Sequence, residues 1–214
     1  FDWLKKNNNE ASLCYFNIVD DFESYSHLKY YMNIFKSNIS SFNLIISPNQ
    51  FLLKKYGKLN INYHLPHGFN KVHDEKVYLR ETLRGNNIVY AGTFANWLDY
   101  KLIDQICKKF PLSKIYLVGK LARNISFKVI DDLCKKNENL IIIRPMDRID
   151  LHTFLLSCSI AIIPYKSHLL HIKNCSPSKI MDYLGCGLPI ISSNIPYCRS
   201  HEYVNVAESS KNFL

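Results

Sequence analysis

The 214-residue chain is 47% hydrophobic and 21% charged, with a formal charge of +9 at neutral pH. Those proportions place it among globular proteins, show no low-complexity tract or disordered tail, and leave no apolar run near the roughly 18 residues that cross a bilayer. Seven cysteines, an odd number with no C-x-x-C pair, have neither zinc-ligand nor disulfide spacing and fit reduced thiols in a cytosolic compartment. Phe1 begins no recognisable signal peptide, so a soluble chain is expected. The positive surplus calls for something anionic, whether nucleic acid, phospholipid or a phosphorylated substrate. It is dispersed over pairs such as Lys5 and Lys6, Lys54 and Lys55, Lys108 and Lys109, and Lys135 and Lys136. With no basic stripe interleaved with exposed aromatics, a nucleic-acid partner is not expected.

In chain order, residues 13–19 read as an apolar strand that ends at Asp20 and Asp21, and 25–39 as an aromatic-rich helix. A strand at 42–47, a short helix at 48–56 closed by Gly57, and a strand at 61–65 follow. This is α/β alternation with brief connections, but the pieces are too few to close a doubly wound sheet. The paired carboxylates of Asp20 and Asp21 suit a metal ligand or a base, and equally a strand-end turn or helix N-cap. The turn Pro66-His67-Gly68-Phe69-Asn70 then opens a more polar stretch, 71–87, and His67 is either solvated there or faces a cleft.

From residue 87 the alternation becomes regular. A strand at 88–91 leads through Gly92-Thr93 to a helix whose Leu98, Leu102, Ile103, Ile106 and Phe110 keep helical period. The strand 114–118 ends at Gly119-Lys120, and a helix passes through Phe127, Ile130 and Leu133 before the strand 140–143. Leu151, Phe154, Leu155 and Cys158 mark a further helix, and strands are expected at 160–163, 188–192 and 203–206. The fold class is therefore α/β, a Rossmann-like doubly wound parallel sheet. In such sheets ligands sit beyond the carboxyl ends of the strands. The turns at those ends are Gly92-Thr93, Gly119-Lys120, Arg144-Pro145-Met146, Pro164-Tyr165 and residues 174–179. They combine small residues for close approach, basic groups for phosphate and a Pro-Met edge that can flank a base. Neither G-x-G-x-x-G nor the P-loop G-x-x-x-x-G-K-[ST] is present, which argues against a nicotinamide or flavin dehydrogenase and against P-loop phosphoryl transfer.

The stretch 174–192, NCSPSKIMDYLGCGLPIIS, is the most informative. Ser176 has the chemistry of an N-cap, Pro177 suits the first helical position, and Gly185 and Gly187 can end the helix. Ile180, Met181 and Leu184 fall on one side of it, and Ser178, Lys179 and Asp182 on the other. The unpartnered N–H groups of a helix start, with Lys179 beside them, suit an anion such as a diphosphate, and Asp182 one turn on suits ribose hydroxyls. A plain i, i+3 surface pair between Lys179 and Asp182 fits the spacing as well.

The run SPSKIMDYLGCGLPIIS resembles the donor-binding segment of GT-B-fold glycosyltransferases, in particular the retaining group 1, or family 4, enzymes, which reads roughly Ser-Pro-x-Lys-x-x-Glu-Tyr-x-x-x-Gly-x-Pro-Val-Val. Ser176, Pro177, Lys179, Tyr183, Gly187 and Pro189 match it. Asp182 stands where a ribose-binding Glu is usual, and Asn174 where the first Glu of a Glu-(seven residues)-Glu pair would be. The resemblance implies metal-independent transfer of a sugar from a nucleotide-diphosphate sugar to a glycan or lipid-linked acceptor, as in polysaccharide biosynthesis, with no cofactor. By match it makes Lys179 and Asp182 the catalytic candidates and puts Gly92 and Thr93 near the donor phosphates. It sets 144–146 by the nucleobase, with Arg144 in place of the usual Gly, so that Arg144 and Met146 become binding candidates. Asn174, Cys175, Ser176 and Pro177 fall in the donor loop, the last three offering backbone N–H groups to diphosphate. His67 lies in a turn similar to the family's Pro-Asn-Gly-Val-Asp, and Asp21 in an Asp-Asp-Phe near the acceptor cleft. Residues 1–70 would then be the remnant of an acceptor-side domain and 71–214 a donor-binding domain cut short, the chain being a fragment of a longer reading frame. A cytoplasmic enzyme, peripheral at an anionic inner-membrane face, is expected. The alternative is a non-catalytic α/β module that holds a nucleotide or a protein partner.

Overall fold

Two parallel sheets organise the chain. The computed structural model describes residues 13–25, 28–57, 61–68, 85–123 and 125–214. These form two units, one from Phe1–His67 and Leu169–Ser176, the other from Gly68–His168 and Pro177–Leu214. Phe69, Asn70, the polar stretch to residue 84, and Lys5 and Lys6 lie outside the described residues.

The first unit holds β1 (Tyr15–Asn17), β2 (Leu44–Ser47) and β3 (Ile61–His64), paired in that order and all parallel. Helix α1 (Lys29–Asn38) connects β1 to β2 and α2 (Gln50–Tyr56) connects β2 to β3. Parallel neighbours require such crossovers. Asn49 starts α2 by accepting from the Phe51 N–H at 2.9 Å, and Gly57 ends it by donating to Leu53 O. The core is Ile18, Met32, Phe35, Phe42, Ile45 and Leu52, with Phe16 packed on Phe35 at 4.5 Å between ring centroids. The helix expected over 25–39 is shorter because a 3₁₀ turn, Phe22–Ser24, precedes it and another, Ile39–Ser41, follows.

The second unit contains β4 (Asn87–Ala91), β5 (Lys114–Val118), β6 (Leu140–Ile143), β7 (Ile160–Ile163), β8 (Ile190–Ser193) and β9 (Val204–Ala207). Their order is β6-β5-β4-β7-β8-β9, every pair parallel. Strand succession reverses between β4 and β7, the switch point of a doubly wound sheet. β4 is buried along almost its whole length, as a strand covered on both faces must be. The helices are α3 (Tyr100–Lys109), α4 (Phe127–Lys136), α5 (Arg148–Leu156), then α6 (Leu170–Lys173) in the first unit, and α7 (Lys179–Gly185), α8 (Pro196–Arg199) and α9 (Ser210–Phe213). Asp99, Ser126 and Asp147 cap α3, α4 and α5 with their side chains, and lysines occupy the last turns of α3 and α4, as the helix dipole favours. Among the described residues no helix is long and apolar enough to cross a membrane.

Register sets the site. Ala91 pairs with Val118 and Val118 with Ile143, so β4, β5 and β6 end level and the turns after them lie side by side.

Candidate functional site

A cavity of about 390 Å³ opens where those turns meet. Ala91, Gly92 and Thr93 follow β4, Val118, Gly119 and Lys120 follow β5, and Pro145 and Met146 follow β6, while Ser178, Lys179, Asp182 and Tyr183 line it from α7. Its size falls in the range of small-ligand sites. Gly92 and Gly119 both have φ of +150°, and the Gly92 N–H donates to Val118 O at 2.8 Å. A Cβ on Gly119 would overlap the carbonyl of Gly92, so the two turns approach this closely only because residue 119 carries no side chain.

Helix α7 is fastened to the sheet by Tyr183. Its buried hydroxyl accepts from the Ala91 N–H at 2.7 Å, and burial pushes its pKa well up. The side buried in α7 is thus Ile180, Met181 and Tyr183, with Leu184 only half-buried in place of the expected third anchor. Fixing Tyr183 presents Lys179 one turn earlier. Its ammonium donates to the Tyr165 hydroxyl at 2.6 Å and lies 4.0 Å from the centre of the Tyr90 ring and 4.9 Å from that of Tyr165. Tyr90 belongs to β4 and Tyr165 follows β7, so the two rings flank the switch point, 6.2 Å apart. An ammonium over such faces gains about 0.5–2 kcal/mol. Tyr90 also donates to Thr93 O at 3.0 Å, and burial raises its pKa strongly.

Asp182 is not paired to Lys179 as a simple surface pair would be. Its Oδ1 accepts from His152 Nε2 at 3.0 Å and from the Arg148 guanidinium at 3.3 Å, both on α5.

The donor loop differs from the expected cradle. The helix begins at Lys179, with Ser178 as its N-cap, and is seven residues long. Ser176 is no cap, because its Oγ is buried without a hydrogen-bond partner. The Cys175 N–H donates to Ile172 O, Ile180 to Pro177 O and Met181 to Ser178 O, and Pro177 has no N–H, so these groups form tight turns. Asn174, Cys175 and Ser176 belong to the first unit. There the Asn174 amide donates to Asp21 Oδ2 at 2.6 Å, the Asn49 amide donates to Asn174 O at 3.1 Å, and His67 Nε2 donates to Ser176 O at 3.2 Å. Arg144 is exposed and does not line the cavity, whereas Met146 does.

Asp21 is 2% exposed and also accepts from Lys55 at 2.9 and 3.0 Å and from the Tyr56 hydroxyl at 2.5 Å. Burial opposes its charge, but the bonds from Lys55, Tyr56 and Asn174 outweigh burial and hold its pKa below the ordinary value. It precedes the turn Phe22–Ser24 without capping it through its side chain. Asp20 is opposite in character: burial raises its pKa against the pull of His67 and His171. Among the described residues no group of three or more His, Cys, Asp or Glu could hold a metal ion.

Sequence reasoning missed Tyr90, Arg148 and His152. Tyr90 sits inside an apolar strand and nothing local marks it, and the two α5 residues belong to a helix whose polar face has no motif. The turns Gly119-Lys120 and Pro164-Tyr165 carried the signal for Lys120 and Tyr165.

A level row of glycine turns with a lysine at the switch point defines a doubly wound domain suited to an anionic, nucleotide-like ligand. No family model matches the chain, and no curated protein matches it in sequence. Solved structures match it in fold. Anabaena Alr3699/HepE in complex with UDP and glucose aligns over 93% of this chain and 58% of its own, with a TM-score of 0.66 and 13% identity. The pneumococcal O-GlcNAc transferase GtfA in complex with UDP and GlcNAc aligns over 86% of this chain and 38% of its own, with a TM-score of 0.63 and 11% identity. TarM aligns over 91% of this chain and 40% of its own, with a TM-score of 0.58 and 12% identity. This chain has the GT-B fold that these structures share. It spans less than two thirds of the length of each, 58%, 38% and 40%.

Proposed function

We propose that the chain acts in glycosyl transfer from a nucleotide-diphosphate sugar to a glycan or lipid-linked acceptor, without a metal ion. The observation that carries this reading is the Lys179 ammonium held at the switch-point cavity between Tyr90 and Tyr165. The HepE and GtfA structures contain UDP with a sugar, and a further HepE structure contains UDP-glucose, which makes a uridine nucleotide the first candidate donor. When the bond between the anomeric carbon and the diphosphate breaks, its electron pair goes to the diphosphate oxygen, and Lys179 with Lys120 faces that growing charge. Gly92 and Thr93 let the phosphates approach backbone, Pro145 and Met146 flank the base, and Asp182, with Oδ1 already engaged, offers Oδ2 to the ribose. Asn174, Cys175, Ser176, Pro177 and His67 serve this reading by fixing the loop that leads into α7. The basic surplus suits work at an anionic membrane surface, as a cytoplasmic peripheral enzyme would meet it.

Calorimetric titration with uridine, guanosine and adenosine diphosphates tests the donor site and identifies its base. One of them should bind, and Lys179→Ala should weaken it about tenfold or more while leaving the melting temperature within about 2 °C. No binding by any of the three, or full affinity in Lys179→Ala, would overturn the assignment. A second reading, a module that binds donor without turnover, is favoured by one observation: Asn174 takes the place of a carboxylate and is tied to Asp21. Release of nucleoside diphosphate from a labelled nucleotide sugar separates the two.

A further inference from the structure

We propose that the edge of the second sheet opposite the cavity is a docking surface for an anionic lipid bilayer, centred on the turn after α3. In a parallel sheet each crossover helix runs back from the carboxyl edge to the amino edge, so the last turns of α3 and α4 lie at the amino edge with the start of β5. That brings Lys108 and Lys109, Lys135 and Lys136, and Lys114 to one rim. Lys108 pairs with Asp104 and Lys135 with Asp131, each at 2.6 Å, while Lys109, Lys114 and Lys136 are exposed. Glu138, in the loop after α4, and Asp132, which acts on Lys135, are exposed acids near the same rim.

Between Lys109 and Lys114 stands Phe110-Pro111-Leu112-Ser113, a tight turn closed by the Ser113 N–H donating to Phe110 O at 3.0 Å. Leu112 at its tip is 93% exposed and Phe110 37%. A single exposed leucine needs no explanation; a leucine held out rigidly amid cations does. The Asn139 amide donates to the carbonyls of Cys107, Phe110 and Ser113 at 3.0–3.1 Å, which locks the turn to the loop before β6. The Asn137 amide donates to Asp104 at 2.9 Å and ties the end of α4 to α3. Phe110 and Ser113 also line an apolar cavity of about 380 Å³ behind the turn. A preformed apolar tip on a rim that carries several lysines matches the two halves of a charged bilayer interface: the tip enters the acyl boundary and the ammonium groups meet lipid phosphates. A soluble polyanion would use the lysines and leave Leu112 without a role.

This inference rests on the membrane part of the functional reading and is independent of the transfer chemistry. Flotation with phosphatidylcholine vesicles, and with vesicles that also contain phosphatidylglycerol, tests both. The wild-type chain should float with the anionic vesicles alone. Lys109→Ala with Lys136→Ala should weaken that binding about tenfold or more, since each Lys near such a surface counts for roughly fivefold. The matched pair Lys101→Ala with Lys128→Ala, in the first turns of the same helices, should change it less than about threefold. Leu112→Ser should weaken it severalfold with all charges intact. If the wild type ignores anionic vesicles, the membrane reading and this surface both fall. If it floats but the two lysine pairs matter equally, or Leu112→Ser floats like wild type, the surface alone is overturned.

Discussion

Asp21 shows how one buried carboxylate can organise a unit. It receives Lys55, Tyr56 and Asn174, and the last lies 153 positions away in sequence. Replacing it by Asn keeps the shape but sets an amide N–H₂ against the Tyr56 and Asn174 donors, while Lys55, partly exposed, keeps its pair with Glu23, so the cost is about 1–3 kcal/mol. The pH dependence has a definite sign. The folded-state pKa of Asp21 is depressed, so its stabilisation is complete above the ordinary carboxylate value of 3.8 and is lost as pH falls through the folded value. Glu23, lowered by its bonds to Lys36 and Lys55, slopes the same way, and Asp20, raised by burial, slopes the opposite way. Urea unfolding should therefore show Asp21→Asn far below wild type near about pH 7, with the gap closing toward about pH 3. A gap that stays constant with pH would mean that the fold does not depress the Asp21 pKa. Tyr165 allows a second test at this scale. Tyr165→Phe keeps the ring over Lys179 and removes the hydroxyl that its ammonium binds at 2.6 Å. Nucleoside diphosphate should bind about tenfold more weakly to Tyr165→Phe, and the double variant with Lys179→Ala should bind no worse than Lys179→Ala alone. Independent, multiplying effects would show that the hydroxyl does not act through Lys179.

Among the elements, the two glycine turns separate a role in the fold from a role in the site. At Gly119 a Cβ meets the backbone of Gly92, which cannot move without breaking the level ends of β4 and β5. At Gly92 it meets chiefly the Lys179 ammonium, 2.5 Å away, at the end of a flexible side chain. Both sites carry φ of +150°. Gly119→Ala should lose about 2–3 kcal/mol by chemical denaturation together with binding, whereas Gly92→Ala should lose binding with a stability cost nearer about 1 kcal/mol. Equal stability losses would contradict the geometry. The strands of this unit were legible in sequence: Lys114–Val118, Leu140–Ile143 and Ile160–Ile163 stand where their apolar runs put them, the first and last bounded by Ser and by Gly or Pro. The single-turn helices Leu170–Lys173, Pro196–Arg199 and Ser210–Phe213 were not, because four residues are too few to show a helical period. The start of α7 misled for a different reason. Ser176 and Pro177 have the right chemistry for a helix entry, but the chain spends them on tight turns and buries the Ser176 hydroxyl. Lys179 and its neighbours could be read from the motif. Tyr90, Arg148, His152 and the bond from Asn174 to Asp21 depend on packing between distant segments, which no local pattern encodes.

At the scale of the whole chain, the backbone leaves the second unit at Leu169 and returns at Pro177. The cavity-lining residues nevertheless all come from the second unit. A nucleoside diphosphate held there stabilises the state that binds it by mass action, about 2.7 kcal/mol at a hundred times its dissociation constant. That gain belongs to the backbone that forms the cavity. Hydrogen exchange should accordingly slow in β4, β5 and α7, next to Gly92, Gly119 and Lys179 in the cavity lining. Amides of β1 and β2 in the first unit should change least, since the core around Ile18, Phe35 and Ile45 contributes no lining residue. Protection that appeared first or most strongly in β1 and β2 would move the nucleotide site to the first unit, and the roles of Lys179 and Tyr165 would move with it.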